Sequence, residues 1–238
     1  MDEKIYHRYL YLDTNIYGHI CKNECLVKPL FEFLVSNNIS LALTGANLSE
    51  LHDAGFLHKQ LVKILTILPT SLIVSWDEIL KHEIESHPDM FKGSILGYPI
   101  NNLLLEKGGL KKFEEKLKDP NLKEARKIQV EDSKKMYNEF LDLKDNFPPS
   151  SSGKYTKEQA KEFSDFIVIQ WLSQSHPRFM TEFKENISLL NLDIFKTIKM
   201  FAFVIFYKYY IGNRNPVKKS DYGDLFHLLY IPYCNMAI

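Results

Sequence analysis

The fold is decided by the stretch YLYLDTNI, which occupies residues 9–16. Four apolar or aromatic residues lead directly into Asp13, a pattern that predicts a buried strand. Thr14 and Asn15 are helix-capping residue types, so a strand-to-helix turn is expected next. A carboxylate beside an apolar strand is costly unless it is hydrogen-bonded, paired or bound to a cation. Asp13 is therefore the first candidate functional residue.

Length and composition place the chain among globular proteins. Its 238 residues, 45% hydrophobic and 25% charged, are enough to bury a complete core. Thirty basic and thirty acidic residues cancel, so any nucleic acid must be bound by a local patch. The three cysteines give no disulfide framework, no signal peptide is evident, and the longest apolar run, residues 200–207, is too short for a bilayer. We expect a cytoplasmic protein without membrane contact.

The residues after Asp13 alternate between helical and strand-like patterns. The turn TGAN, residues 44–47, precedes a helix whose first turn is expected to carry Glu50, with Thr44 or Asn47 as its cap. A second strand therefore also ends near an acid. The expected elements are helix 16–20, helix 27–36, strand 39–43, helix 61–68 and strand 71–76.

The pattern changes to mostly helix after residue 76. Helical segments are expected at residues 110–118, 122–143, 157–173 and 192–210, with a flexible Pro-Ser-Gly loop at 148–153. We predict a sheet domain in two parts, residues 1–76 and 212–238, interrupted by a helical insertion or lid at residues 77–211.

Aromatic residues crowd the last helical segment. A base-stacking platform is one interpretation. Their density around the helix favours a buried core helix or a partner interface, such as a homodimer contact. The residues are Phe195, Phe201, Phe203, Phe206, Tyr207, Tyr209 and Tyr210.

The second informative stretch is SDYGDLFHLLYIPYC, residues 220–234. Ser220 can cap a helix whose first turn carries Asp221 and Asp224, three positions apart and on one face. The positive end of the helix dipole favours their ionised forms, although capping alone explains them equally well. His227 lies one turn later on the same face, where a structural partner is favoured over a general base.

Weaker candidates flank these stretches. Cys21 and Cys25 lie four apart like half of a metal site, but no second pair has matching spacing, so zinc is disfavoured. Three cations precede the acidic helix and can contact substrate phosphates, with solvated side chains as an equal alternative. They are Arg214, Lys218 and Lys219.

Asp13, Glu50, Asp221 and Asp224 together form a dispersed set of carboxylates in an alternating α/β frame. Hard oxygen ligands at the carboxyl ends of parallel strands suit Mg²⁺ or Mn²⁺. Such a site can activate water against a phosphodiester.

On these residues the chain resembles the PIN-domain nucleases, in particular bacterial PIN-like proteins with a large helical insertion. The resemblance covers about residues 5–75 and 213–238, and its motifs are YLDTN, LSEL and DxxDxxHxxYxPY. It implies a three-layer α/β fold with a central, mostly parallel sheet interrupted by that insertion. It also implies a metal-dependent endoribonuclease that cleaves single-stranded RNA, often a toxin or defence component with an antitoxin or other neighbouring-gene partner.

By position, the resemblance implies that Asp13, Glu50 and Asp224 bind Mg²⁺ or Mn²⁺, with Asp221 as an adjacent ligand or outer carboxylate. The bound metal would hold the scissile phosphate and lower the pKa of a water molecule.

Around these ligands, the resemblance implies that Thr14 and Asn15 orient Asp13, with His227 as an outer partner. Relatives usually carry a further acid in a turn after the penultimate strand. The sequence stops at Ile238 before such a turn, so either the protein is naturally short or the sequence is truncated. If that strand and acid are truly absent, we expect activity to be weakened or lost.

Two other functions stay open from the sequence. A degenerate PIN-like module would bind RNA or a protein without cutting. A phosphatase resembling the haloacid dehalogenases ranks last, because that class needs an acid two residues after its nucleophilic Asp, where Asn15 stands.

Overall fold

The structure, a computed structural model, describes residues 8–52, 54–91, 97–212 and 225–238. Within these residues the chain divides into two compact units. The first unit contains the sheet, and the second is helical. In described residues, the first unit comprises 8–52, 54–75, 97–129 and 233–238, and the second comprises 76–91, 130–212 and 225–232.

The first unit is built on a five-stranded sheet in the order β4-β3-β2-β1-β5. Four strands are parallel, and β4 runs antiparallel to β3 at one edge. Tyr11 of β1 is paired with Ala42 of β2 on one side and with Ala237 of β5 on the other. The predicted α/β class with a mostly parallel sheet is therefore confirmed. The strands are β1 (Tyr9–Tyr11), β2 (Ser40–Leu43), β3 (Thr70–Ile73), β4 (Gly97–Pro99) and β5 (Met236–Ala237).

Helices surround the sheet and build the second unit. The helix predicted at residues 27–36 has those bounds, and a π-helical turn, Phe206–Ile211, continues the last helix. No helix within the described part of the chain has the length and apolarity needed to cross a bilayer. The helices in chain order are α1 (Thr14–Lys22), α2 (Val27–Ser36), α3 (Gly45–His52), α4 (His58–Ile67), α5 (Trp76–Ser86), α6 (Asn101–Leu105), α7 (Gly109–Leu117), α8 (Pro120–Asp142), α9 (Lys157–Ser175), α10 (Pro177–Thr181) and α11 (Lys196–Ile205).

The core of the first unit lies between the sheet and its helices. Leu61 and Leu65 of α4 are four residues apart and fully buried, as the helical period of the sequence predicts. They join Leu10 and Leu41 from the sheet and Leu34 from α2 in one apolar cluster. Because each such side chain stabilises the fold by about 1.5–3 kcal/mol when fully buried, this cluster holds the helices against the sheet.

The observed division differs from the predicted parts in two places. Residues 97–129 were expected in the helical insertion, but β4 pairs with β3, and Ile100, Leu104 and Leu117 belong to the core of the sheet unit. Residues 225–232 were expected with the sheet, but they belong to the helical unit, where Tyr230 hydrogen-bonds to the backbone of Trp76.

Strand β4 fits beside β3 because residue 97 is glycine. A Cβ atom there would lie 2.8 Å from the Tyr9 hydroxyl and 3.0 Å from side-chain atoms of Ser71 and Ile73. The sequence gives no signal for this strand, since three residues are too few for a period-2 pattern.

An aromatic core holds the second unit together. Phe206 is fully buried, and its ring lies 4.9 Å from the Tyr210 ring and 5.2 Å from the Phe163 ring of α9. Five of the seven aromatic residues noted in the sequence are buried, which confirms the core interpretation for them. Phe203 and Tyr207 are instead 39% and 70% exposed.

The three cysteines have different environments, which predicts an order of reaction with a thiol reagent. Cys25 is exposed, whereas burial raises the pKa of Cys21 to about 11 and that of Cys234 to about 12. Because the thiolate is the reacting species, we expect Cys21 and Cys234 to react at least about 100-fold more slowly than Cys25 at neutral pH. Mass spectrometry after timed alkylation measures these rates, and equal rates for Cys21 and Cys25 in the folded protein would contradict this placement.

Candidate metal site

Asp13 lies where β1 ends and α1 begins. Its main-chain oxygen accepts the first hydrogen bond of the helix from Ile16, while its carboxylate makes no capping bond to the helix. Asn15 donates from Nδ2 to Asp13 Oδ2 at 3.0 Å. The Asp13 amide donates to the Ile238 carbonyl at 2.8 Å, so β5 also fixes this turn. The carboxylate is thus held at the carboxyl end of β1 by its neighbours in the fold.

Glu50 is carried by α3, which follows β2. The helix starts at Gly45, so Glu50 lies in its second turn, and the prediction that the first turn carries it is wrong. The reason is the cap: Thr44 and Asn47 bond reciprocally, with Thr44 Oγ1 accepting from the Asn47 amide at 3.3 Å and Asn47 Oδ1 accepting from the Thr44 amide at 3.1 Å. This arrangement is a capping box with Asn in the third helical position.

The structure brings Asp13 and Glu50 together. One carboxylate oxygen of each lies within 4.8 Å of the other, and both side chains are partly exposed. The two acids meet because β1 and β2 are parallel neighbours, whose carboxyl ends share one edge of the sheet. Two carboxylate oxygens this close can both reach one cation after small side-chain rotations.

A buried polar network lies behind the two acids. Asn47 is completely buried, and its Nδ2 donates to the Leu12 carbonyl at 3.1 Å and to Thr14 Oγ1 at 3.5 Å. The Tyr11 hydroxyl bonds to the side chains of Thr44 and Asn47, and burial raises the pKa of this phenol, so that it stays protonated. Thr14, which is expected to orient Asp13, accepts the bond from Asn47 Nδ2, and its role toward Asp13 stays a prediction.

The other sequence-predicted residues lie either in the second unit or outside the described residues. His227 is buried in the second unit, within the helical residues 225–228. The remaining predicted ligands and phosphate contacts lie outside the described residues: Asp221, Asp224, Arg214, Lys218 and Lys219.

The first unit also has an apolar groove between α2 and α4. Phe31 and Ile67 line it, with Glu24 and Lys63 at its rim, and neither Asp13 nor Glu50 takes part. The groove is therefore separate from the paired acids.

Comparison of the chain with protein-family models, with curated proteins and with solved structures gives no significant match. The resemblance to PIN-domain nucleases therefore stays a prediction.

Proposed function

We propose that this protein is a PIN-like, metal-dependent endoribonuclease that hydrolyses phosphodiester bonds of single-stranded RNA. The observation that supports the proposal best is the approach of Asp13 and Glu50, whose carboxylate oxygens lie within 4.8 Å at the carboxyl edge of two parallel strands. Two carboxylates this close repel each other unless a proton or a cation lies between them. A divalent cation with a preference for oxygen fits that requirement, so Mg²⁺ or Mn²⁺ is the proposed cofactor.

The geometry supports a role for each of the residues near this pair. Asp13 and Glu50 provide oxygen ligands, and Asn15 holds Asp13 through its 3.0 Å hydrogen bond. A divalent ion in such a site polarises a phosphate oxygen and makes bound water more acidic. No covalent intermediate is needed, because water is the nucleophile.

The rest of the proposed site comes from the sequence. Asp221 and Asp224 are proposed as further ligands and His227 as an outer partner, by their positions in the motif that resembles PIN domains. Substrate phosphates are proposed to contact Arg214, Lys218 and Lys219, since cations neutralise the nucleic-acid backbone. A toxin or defence role, with an antitoxin as partner, is the biological context that this resemblance suggests.

Metal removal tests the proposal. We expect the purified chain to cleave a labelled single-stranded RNA when Mg²⁺ or Mn²⁺ is present, to lose that activity in excess chelator, and to regain it when Mn²⁺ is restored. Gel analysis of the fragments measures the rate. Cleavage that persists in chelator would contradict metal dependence, and RNA binding without cleavage at any metal concentration would favour a degenerate binding module instead.

A further inference from the structure

Asn47 is a buried amide that connects the two segments carrying the paired acids. Its Oδ1 accepts from the Thr44 amide at 3.1 Å and from Thr44 Oγ1 at 2.9 Å. Its Nδ2 donates to the Leu12 carbonyl at 3.1 Å and to Thr14 Oγ1 at 3.5 Å. An Asn side chain offers two donors and two acceptor positions, and these bonds use both ends of the amide. The Tyr11 hydroxyl also bonds to this side chain.

The place of these bonds in the fold gives them a specific effect. The ladder between β1 and β2 ends at the pair Tyr11 and Ala42, and Leu12 lies one residue beyond it. The Asn47 side-chain amide therefore connects the segments that follow β1 and β2, beyond the last residue pair of the two strands. On one side it contacts the residue directly before Asp13, and on the other it belongs to the helix of Glu50, three positions earlier and on the same face.

The energetics make this connection rigid. A buried amide without partners costs about 1–3 kcal/mol, so the side chain is held in the one orientation that satisfies all its groups. An apolar residue of similar size would fill the space, but it would leave the Leu12 carbonyl without this bond.

We propose that Asn47 is a positioning residue, which sets the separation of the Asp13 and Glu50 carboxylates through its bonds to Leu12 and Thr44. The proposal rests on the metal-dependent function proposed above, because the separation matters for holding a divalent ion. It assigns to Asn47 a role beyond capping α3. Partners that orient metal ligands from outside the coordination sphere typically change metal affinity by about 10- to 100-fold when they are removed.

The test compares Asn47→Ala with Ser40→Ala. Ser40 is also fully buried and its Oγ lies 2.9 Å from the Ser71 Oγ, but it lies at the start of β2, away from the acids. We expect Asn47→Ala to raise the Mn²⁺ dissociation constant, measured by calorimetry, by about 10- to 100-fold. We expect Ser40→Ala to leave it within about twofold, even though both variants lose a buried hydrogen bond.

A second readout does not depend on metal binding. Crystal structures of the metal-free wild type and of Asn47→Ala should show the Asp13 and Glu50 oxygens farther apart in the variant. If Asn47→Ala does not fold, Asn47→Ser takes its place, because its hydroxyl can bond to Thr44 but is too short to reach Leu12.

Each outcome points to one of the two proposals. An Asn47 variant that is destabilised like Ser40→Ala, yet keeps the wild-type dissociation constant and carboxylate separation, overturns the positioning role and leaves the proposed function standing. A wild-type chain that binds no Mn²⁺ overturns the proposed function, and the carboxylate separation in the metal-free crystals then decides the positioning role by itself.

Discussion

Asp13→Asn is expected to lower the rate of metal-supported RNA cleavage by about 1,000-fold, the upper end of the loss seen when one charge-stabilising group is removed from a reacting centre. The substitution keeps the size of the side chain but removes its charge and one of its oxygen ligands. Asp13 is partly exposed at a turn, so the fold should tolerate the change. Single-turnover cleavage of a labelled single-stranded RNA in Mn²⁺ measures the effect.

The partner variant Glu50→Gln sharpens this prediction. If both acids hold the same ion, we expect each single variant to lose most of the activity. The double variant should then be within about threefold of the less active single variant, because the effects of residues that act as a unit are not additive. Glu32→Gln is the matched control, since Glu32 is an exposed acid of α2 whose ion pair is with Lys28. Asp13→Asn with wild-type activity, or losses that multiply in the double variant, would show that the two acids do not share a metal.

The largest expected effect on stability comes from Phe206→Ala. Phe206 is completely buried among Tyr155, Phe163 and Tyr210, with ring distances of 5.1, 5.2 and 4.9 Å. Removing a ring from such a place costs the transfer energy of the ring and leaves a cavity, so we expect a loss of about 3–5 kcal/mol in the free energy of unfolding. Urea denaturation followed by circular dichroism measures it.

The neighbouring residue provides the control for that prediction. Tyr207 is 70% exposed, so Tyr207→Ala should change the free energy of unfolding by no more than about 0.5 kcal/mol. Similar losses for the two variants would contradict the buried position of Phe206. A Phe206→Ala protein of unchanged stability that has lost RNA affinity would support the base-stacking interpretation instead.

The elements that the sequence predicted are those with a long or strongly periodic pattern. Helix α2 has the predicted bounds because its apolar residues recur at helical spacing and Asn37 follows with turn chemistry. Strand β1 was predicted because four apolar residues precede a capping pair. The approach of Asp13 to Glu50 was foreseen from the expected parallel pairing, which places the ends of neighbouring strands at one edge of the sheet.

The features that the sequence did not predict depend on contacts between distant residues. Strand β4 has three residues, and it forms because Gly97 allows close packing on Ser71 and Ile73. Asn47 was considered only as a helix cap, since no local pattern shows that its amide also reaches Leu12, 35 residues earlier. The linking role of an Asn near a predicted strand end can be recognised only when the structure shows that its side chain is buried.

The most direct test of the central claim is a crystal structure of the protein soaked in Mn²⁺, with anomalous diffraction data. We predict an anomalous peak between Asp13 and Glu50, with an oxygen of each carboxylate about 2.0–2.2 Å from the ion. Diffraction at saturating Mn²⁺ that shows the two carboxylates without a peak between them would contradict the claim that they form a metal site.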